Sequence, residues 1–511
     1  MDRVGRVELV RGEICIVRGI QGVGLGNVVV FSSGVEGIVL GFNKASAEVA
    51  MLSTSIPVKK GDLVRVNASR MTIGVSEALL GRVINPMGVP LDGKGAIEIP
   101  QDSRFPIEAA ARPVYQREII NRPFQTGYLT IDSQIPLGLG QRELLLGERN
   151  SGQTDLAIDI ICNQARMNTG LICIYVNIDA EAAAAKRRIE RLSQQGALKN
   201  TVVVLGRTSE AASLNYIAPM SGAAIAEWFA SQGKDVLIVF DDLTHHAKVY
   251  RQISLLLERP ASREAYPGDI FYLHSRLLER AGSFNASAGG GTITALPVVE
   301  TQSEDATDYI TTNLMSITDG HVLFRQTLAN QGEQPPIDSG FSVSRIGGQA
   351  QPPLIRALSE KIKGILIRYE EVNKFMSFGT ELATESLAVY ELGLFTHIVF
   401  QQTHDTYYNS TEECALMYLI TSERIHHWGE DQIADVVQQF VTYIRREPYK
   451  NILNNSLLSM TYDNAAIGLN QCIDDFLKQA DTIQPIKVRD RLVAEIETVS
   501  SLLQDNQEIL K

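Results

Sequence analysis

The sequence predicts a chain of three parts: an N-terminal β-barrel, a central α/β domain and a C-terminal α-helical bundle. Three observations carry this prediction. Short alternating segments separated by Gly, Ser and Asn fill the start of the chain, apolar strand-like runs then alternate with helical stretches, and strand signals vanish after about Pro352. We expect domains at residues 1–70, 71–351 and 352–485, followed by a helical extension at 486–511.

The first segment has the pattern of a small antiparallel barrel. Its short strand-like segments are EICIVRGI, NVVVF, GIVLGF and SAEVAML, with Gly, Ser and Asn between them. Because successive side chains of a strand point to opposite faces, such runs suit strands with one buried face.

The central segment alternates strands with helices. ELLLG, LICIYVNI, TVVVLG and DVLIVFDD are apolar runs, and helical stretches such as TDLAIDIICNQARMN stand between them. This order indicates a parallel sheet covered by helices on both faces. Beyond it, the apolar residues recur at helical spacing, which indicates an α bundle.

The strand RELLLG runs directly into GERNSGQT, which is close to the phosphate-binding P-loop pattern GxxxxGK[ST]. The strand, loop and helix in this order predict a P-loop NTPase (RecA-like) domain, in which loop N–H groups would face a bound phosphate. Gln153 stands where the pattern has a lysine. The candidate nucleotide-binding residues of the loop are Gly147, Glu148, Arg149, Asn150, Ser151, Gly152, Gln153 and Thr154.

A second element of such a site is the apolar run DVLIVFDDL, which ends in Asp241 and Asp242. A buried strand of this kind can deliver a carboxylate to a Mg²⁺-bound water beside the P-loop hydroxyl. Thr154 and Asp241 are therefore the predicted Mg²⁺ residues if a nucleotide is bound.

Composition excludes several classes of protein. A net charge of −12 disfavours an independent nucleic-acid role. The five cysteines are scattered without a CxxC pair, so neither a disulfide framework nor a zinc site is indicated and a reducing compartment fits. The N-terminus lacks a signal pattern, and no run reaches the about 18 apolar residues of a membrane span. We expect no direct span, so a partner would hold the chain at any membrane.

Long blocks of the chain resemble the alpha subunits of F-type ATP synthases. The resemblance runs from about Val4 to about Ala480 and is dense from Ala78 to Gln351. It implies a hexameric ring in which alpha-type subunits alternate with catalytic beta-type subunits around a gamma-type central stalk, with ATP synthesis or hydrolysis coupled to ion flow. The blocks include ALLGRVINPMGVPLDGKGAIE, DDLTHHAKVYRQISLLLERPASREAYPGDIFYLHSRLLERAG, GGGTITALPVVETQ, TNLMSITDGHVLF and FSVSRIGG.

The resemblance assigns this chain a supporting part in its neighbour's reaction. Alpha subunits have a Mg-ATP or Mg-ADP site of their own that does not turn over, and they lend an arginine to the beta subunit. Arg345 in FSVSRIGG matches that donor, and Ser316 in LMSITDG matches a serine near the same interface. A guanidinium supplied in trans can stabilise the charge that spreads over a transferring phosphoryl group.

The chain also departs from the family around the phosphates. Beta subunits polarise the attacking water with a Glu, alpha subunits have Gln there, and the aligned residue here is Ala180; we expect the adjacent Glu181 to point elsewhere. Gln153 removes a positive charge and Asp155 adds a negative one. Both changes disfavour a polyphosphate.

Gln402 matches one of the family's adenine-side glutamines and is predicted to bind nucleotide. Ala329 and Gln334 replace an aromatic residue and an arginine that the family usually has. We expect the chain's own site to be weak or empty.

Two differences concern partners. The barrel pattern starts within a few residues of Met1, where alpha subunits usually carry a segment that reaches the peripheral stalk, so we expect that contact to be altered. Residues 486–511 extend beyond the usual end, with an apolar stripe that either folds back or docks a partner. The family implies a peripheral membrane location, on the cytoplasmic face of a bacterial inner membrane or the equivalent organellar side.

Three hypotheses remain open at the level of sequence. The first is a non-catalytic alpha-type subunit of an F-type rotary ATPase. The second is a self-sufficient ring ATPase related to export ATPases or the Rho helicase, which the missing P-loop lysine and catalytic Glu disfavour. The third is an F-type-derived ring that drives a task other than ion pumping.

Overall fold

The chain forms two compact units. The computed structural model describes residues 4–302, 306–377, 384–404, 406–422, 424, 428–446, 449 and 455–480. The first unit contains the described residues up to Thr126 together with Ile135–Ala350. The second contains Gly127–Gln134 and the described residues from Gln351 onward.

The strands all belong to the first unit. They are β1 (Val4–Arg11), β2 (Ile14–Arg18), β3 (Asn27–Phe31), β4 (Glu36–Phe42), β5 (Ser46–Met51), β6 (Leu63–Arg70), β7 (Thr72–Gly74), β8 (Val83–Ile84), β9 (Arg104–Pro106), β10 (Pro123–Phe124), β11 (Leu137–Gly138), β12 (Glu143–Glu148), β13 (Ile172–Ala180), β14 (Thr201–Arg207), β15 (Asp235–Asp241), β16 (Gly282–Ser283), β17 (Thr292–Thr301), β18 (Gly320–Phe324) and β19 (Val343–Ser344).

The helices divide between the units. Those of the first unit follow the strands of the central sheet, and α1 and the helices from α10 onward belong to the second. They are α1 (Leu129–Gln134), α2 (Gln153–Arg166), α3 (Ala182–Gln194), α4 (Ala212–Ser231), α5 (Leu243–Leu256), α6 (Ile270–Leu278), α7 (Tyr309–Ile317), α8 (Gln326–Asn330), α9 (Gly347–Ala350), α10 (Pro353–Ser377), α11 (Thr384–Phe400), α12 (Ser410–Thr421), α13 (Glu430–Ile444), α14 (Asn455–Leu458) and α15 (Tyr462–Ala480).

Over residues 4–70, six antiparallel strands close into a barrel in the order β1-β2-β5-β4-β3-β6. Alternate residues of these strands, among them Val17, Val29 and Val49, point into its interior and are fully buried. Closure removes the free sheet edges that short strands would otherwise present. The predicted N-terminal barrel is confirmed.

Nine of the described strands between Val83 and Ser344 form one sheet in the order β19-β18-β12-β17-β15-β13-β14-β8, with β16 paired to β17. The neighbours from β18 to β8 are parallel, while β19 and β16 are antiparallel additions. Helices such as α4 and α5 pack on the sheet. Its central strands are therefore apolar on both faces, and the predicted α/β domain is confirmed.

The barrel and the sheet are parts of one compact unit. One apolar cluster contains barrel residues such as Ile14 and Ile38 together with sheet residues such as Ile174 and Ile238. Arg259, which follows α5, donates to a carboxylate oxygen of Glu48 in β5 at 2.7 Å. The barrel strands end at Arg70, where we predicted a boundary, but the core continues across it.

The second unit is helical, as predicted. Its core contains Leu358 of α10, Phe395 of α11, Leu416 of α12 and Phe440 of α13, all at most 1% exposed. Leu129 of α1 belongs to the same core, although the sequence had placed residues 127–134 in the central domain. The predicted extension at 486–511 lies outside the described residues. Among the helices that are described, none is both long and apolar enough for a membrane span.

Candidate functional site

The P-loop follows β12, at the carboxyl end of the central sheet, and leads into α2. Gly147 has to be glycine because a Cβ there would lie 2.7 Å from the Phe324 Cβ of the adjacent strand. Asn150 has φ 65° and Gly152 has φ 107°, so the loop turns through left-handed conformations before α2 begins at Gln153. This is the strand, loop and helix order that the sequence predicted.

Gln153 turns its side chain back into the loop. Its Nε2 donates to the Glu148 carbonyl at 3.1 Å, and the Ser151 hydroxyl donates to the same oxygen at 2.8 Å. The Gln153 side chain is buried. The residue at the lysine position therefore braces the loop and brings no charge to it.

The structure brings Thr154 and Asp241 together, although they lie far apart in sequence. The Thr154 hydroxyl donates to Asp241 Oδ1 at 2.8 Å. Asp241 ends β15, which stands two places from β12 in the sheet, so its carboxylate is delivered to the start of α2.

Three further groups donate to the other carboxylate oxygen of Asp241. Arg188 donates from NH1 to Oδ2 at 3.0 Å, the Asn177 amide donates at 3.2 Å, and the Tyr175 hydroxyl also donates. Burial raises the pKa of Asp241, and the Arg188 guanidinium opposes that rise. Burial beside the same carboxylate holds the pKa of Tyr175 well above its usual value, so its phenol remains a donor.

These contacts decide whether the residues present fit Mg²⁺. A carboxylate offers about four lone-pair positions, and Asp241 receives four donors from Thr154, Tyr175, Asn177 and Arg188. Three of these donors share Oδ2 and one binds Oδ1, so a metal-bound water would have only the remaining position of Oδ1, and the ion would stand next to a permanent positive charge. As arranged, Asp241 does not fit a magnesium site.

A basic face of α3 lies along α2. Arg188 and Arg191 are one turn apart, so they project from the same side of the helix. Arg191 forms an ion pair with the buried Asp159 and places NH1 3.8 Å from Oδ1 of Asp155, the acid that the sequence marked as hostile to phosphate. Sequence reasoning missed both arginines, because α3 follows a different strand from the P-loop.

The P-loop opens onto a cleft of about 280 Å³. The chain's positive charge at the cleft comes from Arg149, Arg187 and Arg188, which face a larger number of acids. Ala180 ends β13 there, and Glu181 follows it as an exposed residue in front of α3. The carboxylates lining the cleft belong to Asp155, Asp179, Glu181, Asp241, Asp242 and Glu300.

Asp242, His245 and Glu300 form a small cluster on one wall of the cleft, with ligand-type atoms within 4.8 Å of one another. Asp242 caps α5 by accepting from the Thr244 and His245 backbone N–H groups. Its Oδ2 lies 3.0 Å from His245 Nδ1, and this contact raises the pKa of His245. Burial raises the pKa of Glu300, and the Asp242 charge adds to the effect. The cluster is held by its own internal contacts.

Arg345 lies at the opposite end of the sheet. Ser344 pairs with Gly320 at the amino end of β18, and Gly320 pairs with Glu143 at the amino end of β12. The Arg345 backbone N–H donates to the Asp319 carbonyl at 3.0 Å. Its side chain is exposed and donates one long hydrogen bond, 3.4 Å, to the Thr318 carbonyl.

Ser316, the second residue of that predicted interface, stands near the end of α7, just before β18. It is exposed, and its hydroxyl donates to the Asn313 carbonyl at 2.6 Å. Arg345 and Ser316 therefore flank the same end of β18.

Gln402 belongs to the second unit, where both ends of its amide are engaged. Its Oε1 accepts from the Leu129 N–H at 2.6 Å, and its Nε2 donates to the Gly127 carbonyl at 2.9 Å. The side chain is 2% exposed. The structure thus places the Gln402 side chain on the turn before α1, and its contact with a nucleotide stays a prediction.

Comparisons with known proteins agree with this architecture. The family described as ATP synthase alpha/beta family, nucleotide-binding domain, matches residues 127–344, and the ATP synthase alpha/beta chain, C terminal domain, matches residues 351–494. A protein named ATP synthase subunit alpha from Mycoplasmopsis synoviae is 38% identical over 90% of this chain and 87% of its own length. Proteins of the same name are 46% identical over 74% of both chains in Caldanaerobacter subterraneus and 42% identical over 87% of both in Petrotoga mobilis. Since these matches cover nearly the whole chain, it belongs to the family of ATP synthase alpha subunits.

Proposed function

We propose that this chain is a non-catalytic alpha-type subunit of an F-type ring ATPase, and that it donates Arg345 in trans to the active site of a neighbouring beta-type subunit. The observation that carries the proposal is the position of Arg345. It lies beyond the amino end of β12, while the chain's own P-loop follows the carboxyl end of that strand. At about 3.3 Å per residue, the strand separates them by roughly 17 Å. A phosphate that meets Arg345 therefore belongs to another subunit.

The surroundings of Arg345 suit a group that is offered to a partner. Its backbone is fixed by the hydrogen bond to Asp319 and by the pairing of β19 with β18. Arg142 holds the Asp319 carboxylate with two hydrogen bonds, of 3.0 and 2.7 Å, so the support of Arg345 is itself anchored. Since the backbone is already fixed, only the side chain of Arg345 has to be ordered on binding, and a planar guanidinium loses less entropy per hydrogen bond formed than an ammonium does.

The chain's own cleft supports the non-catalytic part of the proposal. Ala180 provides no side chain that could polarise a water, and Gln153 brings no charge to the loop. The acids that line the cleft outnumber its arginines. We infer that this subunit's site binds nucleotide weakly or stays empty.

We base the remaining proposed partners and the cellular setting on the family. We propose a ring that alternates this chain with beta-type subunits around a gamma-type stalk, at the surface of a membrane, with ATP turnover coupled to ion transport. The match of 90% and 87% of this chain to proteins named ATP synthase subunit alpha supports this assembly.

The experiment is to replace Arg345 in the complex purified with its beta-type partner. We expect Arg345→Ala to leave assembly intact and to lower ATP turnover by about 10³-fold or more, since an arginine donated in trans is worth 10³ to 10⁵ in rate. Arg345→Lys keeps the charge but lacks the planar guanidinium that can bind two oxygens at once. We therefore expect it to recover only a small part of the lost ATP turnover.

Arg65→Ala is the matched control, because it removes an exposed arginine from barrel strand β6. Full turnover by the Arg345→Ala complex would rule out the donation. Turnover by the chain alone, without a beta-type partner, would instead favour a self-sufficient ATPase.

A further inference from the structure

Asp241 is paired with the guanidinium of Arg188, at the position where a P-loop protein binds its metal ion. We propose that the Arg188 guanidinium replaces Mg²⁺ at Asp241, so that this pocket excludes a divalent ion and any nucleotide it takes is the metal-free form. The inference deepens the proposed loss of activity at the chain's own site.

The positive charge of Arg188 lies where a P-loop protein would hold its metal ion. A P-loop metal stands between the loop hydroxyl and the acidic strand end. Here the two ends of that position are Thr154 and Asp241, already joined by a 2.8 Å hydrogen bond, and Arg188 NH1 reaches Asp241 Oδ2 at 3.0 Å. Arg188 therefore neutralises the carboxylate that would attract the ion.

Asp241 also accepts hydrogen bonds from two neutral side chains. Asn177 donates to both the carboxylate and the backbone carbonyl of Asp241, at 3.2 and 3.1 Å, and the Tyr175 hydroxyl donates to the same Oδ2. Asp241 is 3% exposed, so water has little room to compete. With these contacts made, the carboxylate has the partners that a buried acid requires, and a metal ion would have to break them.

Arg188 also takes part in the contacts that hold α3 to its neighbours. The Arg188 side chain is 28% exposed and rises from α3 beside Arg191, which pairs with the α2 acid Asp159. The two arginines thus join α3 to β15 and to α2. A divalent ion held by Thr154 and Asp241 would link only α2 and β15, and only while it is present.

The test uses Mg²⁺ alone on the full-length chain, at pH 8 so that carboxylates are ionised. We expect millimolar Mg²⁺ to leave the melting temperature of the wild-type chain unchanged. Arg188→Met removes the cation and keeps the length of the side chain, so it should lower the melting temperature in EDTA, and Mg²⁺ should restore a large part of the loss. Arg187→Met is the control, because Arg187 lines the same cleft while Arg188 holds Asp241; we expect no Mg²⁺ response from it.

A second readout covers the case in which Arg188→Met folds poorly. Arg188→Gln retains a donor, and Mn²⁺ binding can be followed by electron paramagnetic resonance. We expect at least about tenfold tighter Mn²⁺ binding by Arg188→Gln than by the wild type. Titration of both chains with ADP should show equal affinity in EDTA and in Mg²⁺ for the wild type, and a preference for Mg²⁺ in the variant.

Two outcomes would overturn the proposal. The first is a Mg²⁺-dependent rise in the melting temperature or in the ADP affinity of the wild type. The second is an Arg188 variant that gains no response to Mg²⁺ or Mn²⁺. Neither outcome bears on Arg345, which is tested by turnover of the complex, so failure here and failure of the proposed function are distinguishable.

Discussion

Gln153 shows how one side chain changes the task of a whole loop. A lysine at this position would extend an ammonium toward a phosphate, whereas the Gln153 amide donates to the Glu148 carbonyl within the loop. The position could be read from the sequence, because the P-loop pattern fixes the spacing. The ion pair between Arg188 and Asp241 could not be predicted, because the sequence of α3 does not indicate which residue Arg188 will face.

His245 gives the cleft a pH-dependent contribution to folding. Its contact with Asp242 raises the pKa of His245 above 6.5. A group with a raised folded pKa stabilises the fold fully below its unfolded pKa, and the contribution is lost as pH rises through the folded pKa. We therefore expect His245→Gln to lower the melting temperature most near about pH 5.5 and to have little effect near about pH 9.

Thermal melts of both chains across that pH range check this prediction. The sign is the critical result, since a difference that grows as pH rises would contradict the assignment. A difference that stays constant would mean that His245 contributes through packing and not through its charge.

At the scale of elements, α3 does most to set the character of the cleft. It follows β13, and its basic face meets both the end of β15 and the acids of α2. The sequence predicted helical stretches between the strands of the sheet, and it predicted β12 and β15 from their apolar runs. It could not predict their meeting, which depends on a strand order in which β17 and β15 stand between β12 and β13.

Arg191 gives the element-scale prediction. Its partner Asp159 has a side chain that is 2% exposed, so removing the arginine leaves a buried carboxylate without this ion pair. We expect Arg191→Gln to lower the free energy of unfolding by about 2 to 3 kcal/mol. Urea denaturation measures the change. Arg187→Gln, on the exposed side of the same helix, should cost less than about 0.5 kcal/mol, and equal losses would contradict this account.

At the scale of the whole molecule, the division into units differs from the division that composition suggests. The barrel is set apart by its pattern of short alternating strands, so the sequence separates it correctly as an architecture. Some of its apolar residues, among them Ile14 and Ile38, nevertheless join the core of the sheet, and α1 joins the helical unit. Both features depend on contacts between segments that are distant in sequence, and hydrophobic periodicity carries no information about such contacts.

The shared core predicts that the barrel and the sheet lose stability together. Ile38→Val in the barrel and Ile238→Val in the sheet each remove one buried methyl group, which costs about 1 kcal/mol. We expect either variant to raise hydrogen exchange in both β4 and β15. Leu416→Ala, in the core of the second unit, is the control and should raise exchange among the helices from α10 onward. Exchange that rises only in the mutated part of the first unit would contradict a single core.

The two ends of β12 carry different chemistry, a phosphate-type loop at one and the approach to Arg345 at the other. In a ring built as proposed, the face that gives an arginine is consequently never the face that receives one. Such contacts are heterologous, because each interface joins two different faces. They close into a ring and do not form a two-fold symmetric pair. The direction of β12 within each subunit therefore sets the direction in which arginines are donated around the ring.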